Sequence, residues 1–276
     1  MPKSKIKSGL ARINHASIHY EMAGEGMPYV MIHAGVADCR QWNNEFAYFS
    51  QFYRVLRYDL RGFGQSEPVD GEYNHLEDLR SLLAHLELHE PLVLMGCSMG
   101  GSLAMDLALT QPTRVRALIM VDSCPSGLDL DVPTPAKFDE AEKAYLAGDL
   151  DLLAELETQI WFDGTDRSPA QVNQSMRKLA YDMDRRALSL QAREQGKRLP
   201  NTETSTLERL PDLDIPVLVI EGEQDTLYIL AAGDYMLKKL PSARRVRMAD
   251  AAHLPNMNHP GEFQQIVKAF LDEVAG

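Results

Sequence analysis

Residues 92–105 read LVLMGCSMGGSLAM. An apolar run ends in Gly96-Cys97-Ser98-Met99-Gly100-Gly101, and a helical pattern, SLAMDLALTQ, follows until Pro112. The spacing fits G-x-S-x-G, which carries meaning when a strand precedes it and a helix follows it. A turn that sharp leaves no room for side chains at 96 or 100, and Gly101 lets the helix approach. Ser98 is thereby lifted from the C-terminal edge of a sheet onto a helix N-terminus, where unsatisfied N–H groups favour a developing negative charge. The backbone N–H of Met99 is one candidate oxyanion donor.

Outward from this turn, strand and helix signals alternate. LARIN and SIHYEMAG read as a hairpin, and YVMIHA (29–34), RVLRYDL (54–60) and ALIMVDS (117–123) as buried strands. HLEDLRSLLAHLEL (75–88) sets Leu76, Leu79, Leu83 and Leu86 at helical spacing. After Cys124 the rhythm breaks: PSGLDLDVPTP is turn-rich, and residues 136–198 carry helical patterns without a convincing strand. Alternation resumes with PVLVIEG (216–222), a helix at AAGDYMLKKL, the strand RRVRM (244–248) and a last helix from Pro260. The expected fold is α/β, a mostly parallel central sheet flanked by helices, with a helical lid inserted after the sixth strand. The expected core is 1–124 with 206–276, and the expected lid 125–205.

A serine hydroxyl needs a base, and the base needs an orienting group. For a nucleophile on such a turn the chain order is serine, acid, histidine. Asp225 follows PVLVIEGEQ, and His253 lies in ADAAHLPNMNHP after RRVRM, so both occupy loops at the same sheet edge as Ser98. Asp122, at the end of the strand after the nucleophile helix, is a rival acid. His259, just before Pro260, is a rival base. His15, His19, His75, His85 and His89 read as surface or packing residues. A second oxyanion donor is expected in the loop after VMIHA, with Gly35 preferred over Ala34 or Val36 and His33 shaping the loop.

Composition bounds the function. The 276 residues carry 40 acidic and 28 basic side chains, a formal charge of −12 that disfavours nucleic acid as a partner. No segment approaches a membrane span, and the basic start MPKSKIK lacks an apolar stretch behind it, so no membrane association is expected and a cytoplasmic setting is. Cys39, Cys97 and Cys124 have neither disulfide-framework nor zinc-site spacing.

Taken in order, HAGVADCRQW, DLRGFGQS, GCSMGG, GEQD and AAHLP resemble the α/β-hydrolase fold superfamily, and within it the serine esterase and enol-lactonase-like group. The resemblance implies a triad of Ser98, Asp225 and His253, a structural turn braced by Asp59 and Arg61, and hydrolysis of a small or medium carboxylic ester or lactone. No metal or organic cofactor is implied. Ala34 stands where His-Gly is common, and Ala252 where glycine usually precedes the histidine. Serine at the nucleophile position disfavours epoxide hydrolases and haloalkane dehalogenases, which use aspartate there, and dienelactone hydrolases, which use cysteine. Two other readings share these residues: a C–C bond hydrolase or cofactor-free haloperoxidase or perhydrolase, and a non-enzymatic receptor on a hydrolase scaffold. Ala34, Val36, Trp161, Phe162 and Leu254 are the expected pocket residues, Trp161-Phe162 being preferred among the apolar residues of the lid. Arg40 is the cation nearest in sequence to the oxyanion loop, should the substrate be acidic.

Overall fold

The computed structural model describes residues 5–68, 70–193, 196–202 and 206–275. The first four residues of the basic start and the last three of the expected lid, 203–205, lie outside them. The main sheet contains β1 (Lys7–Ile13), β2 (Ala16–Ala23), β3 (Pro28–Ile32), β4 (Arg54–Tyr58), β5 (Leu92–Cys97), β6 (Val115–Val121), β7 (Val217–Gly222) and β8 (Ala243–Met248). Its order is β1-β2-β4-β3-β5-β6-β7-β8. β2 is antiparallel to both β1 and β4, and every other pairing is parallel. All residues of β3, β5 and β7 are buried, as strands covered on both faces must be. The edge strand β8 instead carries Arg244, Arg245 and Arg247, charges that blunt an exposed edge.

Helices α1 (Asn43–Phe49), α2 (His75–His85) and α3 (Met99–Thr110) belong to the first half, and α7 (Leu227–Lys239), α8 (Pro255–Asn258) and α9 (Pro260–Ala275) to the second. Helix α2 stops before the expected Leu88 because Glu87 takes a left-handed φ of 55° and Leu88 N–H turns back to Leu83 O at 2.9 Å. Between β6 and β7 lie α4 (Lys137–Ala147), α5 (Leu150–Thr158), a π-helical turn (Gln159–Asp163) and α6 (Gln174–Gln191). The helical insertion thus follows the sixth strand. It ends in a feature the sequence did not announce: Lys197–Arg198 pairs in parallel with Glu72–Tyr73, just before α2.

One apolar cluster includes Val30, Leu56, Leu94 and Met120 with Leu79 and Leu83 of α2. A second includes Met31, Val55, Met95 and Ile119 with Trp42, Phe49 and Phe263. These residues alternate along each strand, so the two clusters lie on opposite faces of the sheet. The chain winds from β3 to β4 on one side and returns to β5 on the other, so a crevice opens at the C-terminal ends of β3 and β5, where such sheets bind ligands. The Asp59–Ser66 turn braces its rim. Asp59 accepts from Cys39 N–H (2.7 Å), Gln65 N–H (2.8 Å) and His19 Nδ1 (3.0 Å), and Arg61 forks onto Asp78 (2.9 and 2.7 Å). No helix among the described residues is long and apolar enough to cross a membrane.

Candidate active site

Ser98 sits at φ 50°, ψ −119°, a strained conformation for a residue with a side chain, worth about 1–3 kcal/mol. Hydrogen bonds to its backbone hold it there. Ser98 N–H donates to Val121 O (2.9 Å), and Ser98 O accepts from Gly101 N–H (2.9 Å), Ser102 N–H (3.0 Å) and Ser123 Oγ (2.6 Å). The glycines follow from sterics. A Cβ on Gly96 would stand 2.2 Å from Gly100 O, one on Gly100 2.4 Å from Ile32 O, and one on Gly101 2.4 Å from Ser123 Oγ. Ser98 is half-buried, and its hydroxyl makes no hydrogen bond with any described residue.

The loops after β7 and β8 are stitched together by Glu223 N–H to Met248 O (3.0 Å) and Gln224 N–H to Ala251 O (2.8 Å). This sets Asp225 against His253, with 2.6 Å between Asp225 Oδ2 and His253 Nδ1, both residues buried. Asp225 Oδ1 accepts Thr226 N–H at 2.6 Å. The histidine is fixed beside the nucleophile turn because Cys97 Sγ, one residue before Ser98, donates to His253 O at 3.3 Å. Trp161 lies over the imidazole with ring centroids 4.6 Å apart. The rivals are elsewhere occupied. Asp122 Oδ1 accepts Gly222 N–H (2.9 Å), and burial, together with the neighbouring Asp225 carboxylate, pushes the Asp122 carboxyl well above the usual range. Burial thus disfavours the charged form of Asp122. His259 contacts Asp250 O at 3.3 Å, outside the site.

In the loop after β3, Ala34 N–H is already spent on Gln41 Oε1 (2.9 Å). Gly35 packs against Met99, a Cβ there standing 3.8 Å from Met99 Cε, and neither Gly35 N–H nor Met99 N–H has an acceptor among the described residues. His33 accepts Leu60 N–H on Nε2 (3.0 Å) and so donates from Nδ1 to Ala34 O (2.7 Å); burial lowers its pKa and keeps it neutral. A polar bracket missed at the sequence level joins this loop to the histidine loop. Gln41 Nε2 donates to Asn256 Oδ1 (3.4 Å), while Asn256 Nδ2 donates to Gln41 O (2.9 Å) and to buried Glu45 (3.0 Å).

A cavity of about 670 Å³ reaches Ser98 and Met99, within the size range of small-molecule sites. Its wall is completed by Ser126 and Leu128 after β6 and by Arg198 and Asn201 at the end of the insertion, with His75 from α2. Sequence reasoning had passed over His75 and did not single out Arg198. Of the expected pocket residues, Val36, Trp161, Phe162 and Leu254 surround a separate gap of only about 10 Å³, Ala34 is fully buried, and Trp161 also borders a cavity of about 260 Å³ together with Thr226 and Tyr228, which follow Asp225. Phe162 and Leu254 are drawn into the apolar cluster on their face of the sheet, which is why they do not line the cavity at Ser98. Arg40 is likewise not a substrate cation, because Asp38 two residues earlier takes its guanidinium at 2.7–3.1 Å.

A sequence profile of the α/β-hydrolase fold matches residues 28–260. The pimeloyl-[acyl-carrier protein] methyl ester esterase of Aeromonas hydrophila is 32% identical over 258 residues, covering 92% of this chain and 99% of that one. The 3-oxoadipate enol-lactonase 1 of Acinetobacter baylyi is 26% identical, covering 86% and 85%. Among solved structures, the enol-lactonase from Burkholderia xenovorans superposes with a TM-score of 0.74 at 25% identity, over 95% of this chain and 99% of that one. The order of strands, the serine turn at the end of β5 and these likenesses agree, and the chain belongs to the α/β-hydrolase fold family.

Proposed function

We infer that this protein hydrolyses a small or medium carboxylic ester or lactone through an acyl-enzyme on Ser98. His253 takes the serine proton as Oγ attacks the carbonyl carbon, and Asp225 holds the ring with Nδ1 protonated and Nε2 free to act. The oxyanion forms against the N–H groups of Gly35 and Met99, both without an acceptor among the described residues and both at the crevice. His253 then returns the proton to the leaving alcohol, and a water activated by the same imidazole releases the acid. The reading needs no metal or organic cofactor.

The observation that carries it is the Asp225–His253 pair at 2.6 Å, tied by Cys97 to the turn that holds Ser98 at positive φ. Each feature has a structural use alone, but together they give nucleophile, base and orienting acid at one sheet edge. The relatives act on esters and an enol-lactone by name, which agrees with this chemistry. In the same reading residues 125–205 are a lid over a core of 1–124 and 206–276, since both ends of that insertion line the cavity at Ser98. The partner is a small-molecule ester, met in the cytoplasm.

Initial rates on p-nitrophenyl esters of increasing acyl length, with Ser98→Ala alongside, test the reading. Wild-type turnover should fall by about a thousandfold or more in the variant. Equal rates in the two proteins would remove the acyl-enzyme.

A further inference from the structure

The wall of the Ser98 cavity is electrostatically unlike the rest of the molecule. The chain carries 40 acidic residues, yet among the described residues no aspartate or glutamate lines this cavity, and Arg198 is the one formally charged side chain of its wall. Most of its polar groups are already used within the protein. Ser102 Oγ donates to Cys124 O (2.6 Å) and Thr206 Oγ1 to Ser126 O (3.1 Å), while Ser126 Oγ (2.8 Å) and Asn201 Nδ2 (2.9 Å) both donate to Asp106 behind them.

Besides the Ser98 hydroxyl, two groups are not used in this way. Arg198 has no carboxylate partner among the described residues, and its Nη1 rests on the Met99 thioether at 3.0 Å, a weak acceptor. His75 is 3% exposed, and neither ring nitrogen has a partner among the described residues. Leaving such a group unsatisfied costs about 1–3 kcal/mol. Burial, with Arg198 adding to it, lowers the His75 pKa to about 3, so the ring is neutral and offers one N–H.

The fold brings these two residues together by a dedicated device. Tyr73 pairs in register with Arg198, Lys197 N–H donates to Gly71 O (2.9 Å), Leu199 N–H to Tyr73 O (2.8 Å), and the α2 N-cap Asn74 reaches Pro200 O. The end of the insertion is thus sewn to the start of α2, with Arg198 and His75 on the seam.

We propose that this seam is an anion subsite: the ester hydrolysed at Ser98 carries a carboxylate at its far end, received by the Arg198 guanidinium with the His75 N–H as second donor. The inference rests on the ester-hydrolase reading and narrows its substrate class to half-esters of dicarboxylic acids and lactones bearing a free carboxylate. A single cation beside a neutral imidazole matches one negative charge.

The test compares kcat/KM for methyl half-esters, from glutarate to suberate, with neutral methyl alkanoates of the same length. The best half-ester should be preferred by about tenfold or more in the wild-type protein, and Arg198→Gln should bring that ratio to about one. His75→Phe, which keeps the volume, should lower the ratio by a smaller factor. A wild-type ratio at or below one, or a ratio unchanged in Arg198→Gln, would overturn the subsite. Calorimetric titration with adipate needs no turnover and separates the two readings. Binding by the wild-type protein, weakened about tenfold in Arg198→Gln, supports the subsite even if every ester is refused; no binding overturns it even if neutral esters are hydrolysed.

Discussion

Ser98 keeps its strained backbone because the atoms around it leave no room for another arrangement, and the glycines of this turn differ from others in the chain for that reason. Gly62 also has a positive φ, 82°, but a Cβ there meets nothing within 4 Å. At Gly96 the Cβ meets Gly100 O at 2.2 Å and Gly101 N at 2.4 Å, both backbone atoms that cannot turn aside. Gly62→Ala should therefore cost only the left-handed penalty of about 1–2 kcal/mol. Gly96→Ala must unbend the turn and separate β5 from α3, so it should cost more than about 4 kcal/mol and abolish soluble expression or lower Tm steeply. Thermal melts of the two variants decide the matter; equal losses would mean that conformation, not space, fixes these positions.

Between elements, the bracket from α1 to the α8 loop carries a pH dependence whose sign is fixed by burial. Glu45 on α1 is fully buried, and burial, opposed by hydrogen bonds from Asn256 and Gln264 and by Arg57, pushes its pKa up to about 7. Between its ordinary value of 4.5 and 7 the unfolded chain releases this proton before the folded one does, so folding stability falls as pH rises through that window and then levels off. The full shift amounts to about 3 kcal/mol. Glu45→Gln keeps an acceptor for Asn256 and removes the titration, so its Tm should gain on the wild type from pH 5 to pH 8, in about that proportion. Parallel Tm-versus-pH curves would remove Glu45 as the cause. This bracket also marks what was readable beforehand. The strands, the serine turn and the loops bearing Asp225 and His253 were legible, because apolar runs and glycine spacing are local signals. Gln41, Glu45 and Asn256 were not, since a buried network across 215 residues leaves no local pattern. Nor was the Tyr73–Arg198 seam, a pairing of two residues per strand with no alternation to read. Arg40 is close in sequence to the loop after β3, but Asp38 is nearer still and takes its guanidinium.

Across the whole molecule, the insertion is attached unevenly. Helix α6 sends Ala187 into one main apolar cluster and Ala180 and Met183 into the other, so it belongs to the body of the fold. Helices α4 and α5 and the π-helical turn close on a small separate cluster, formed by Ala141, Ala144, Leu153, Leu156 and Ile160, which α6 touches through Leu188. Arg177 ties α5 to the rest through Glu155 (2.6 Å) and Asp163 (3.0 Å), while on α4 Leu146 remains 76% exposed. Segments with few buried apolar groups open at lower free energy than the sheet. Amides of α4 should therefore exchange with deuterium well before those of α6, and those of α6 before β5 and β6. Opening of α4 bears on the site directly. Phe138 packs edge-on against Trp161 at 5.4 Å, and Trp161 covers His253 at 4.6 Å, so displacing α4 frees the indole to leave the imidazole. Native-state exchange followed by mass spectrometry gives the order. Simultaneous exchange of α4 and β5 would show that the insertion opens only when the whole protein does, and access to His253 would then have to come through the cavity walled by Arg198 and Ser126.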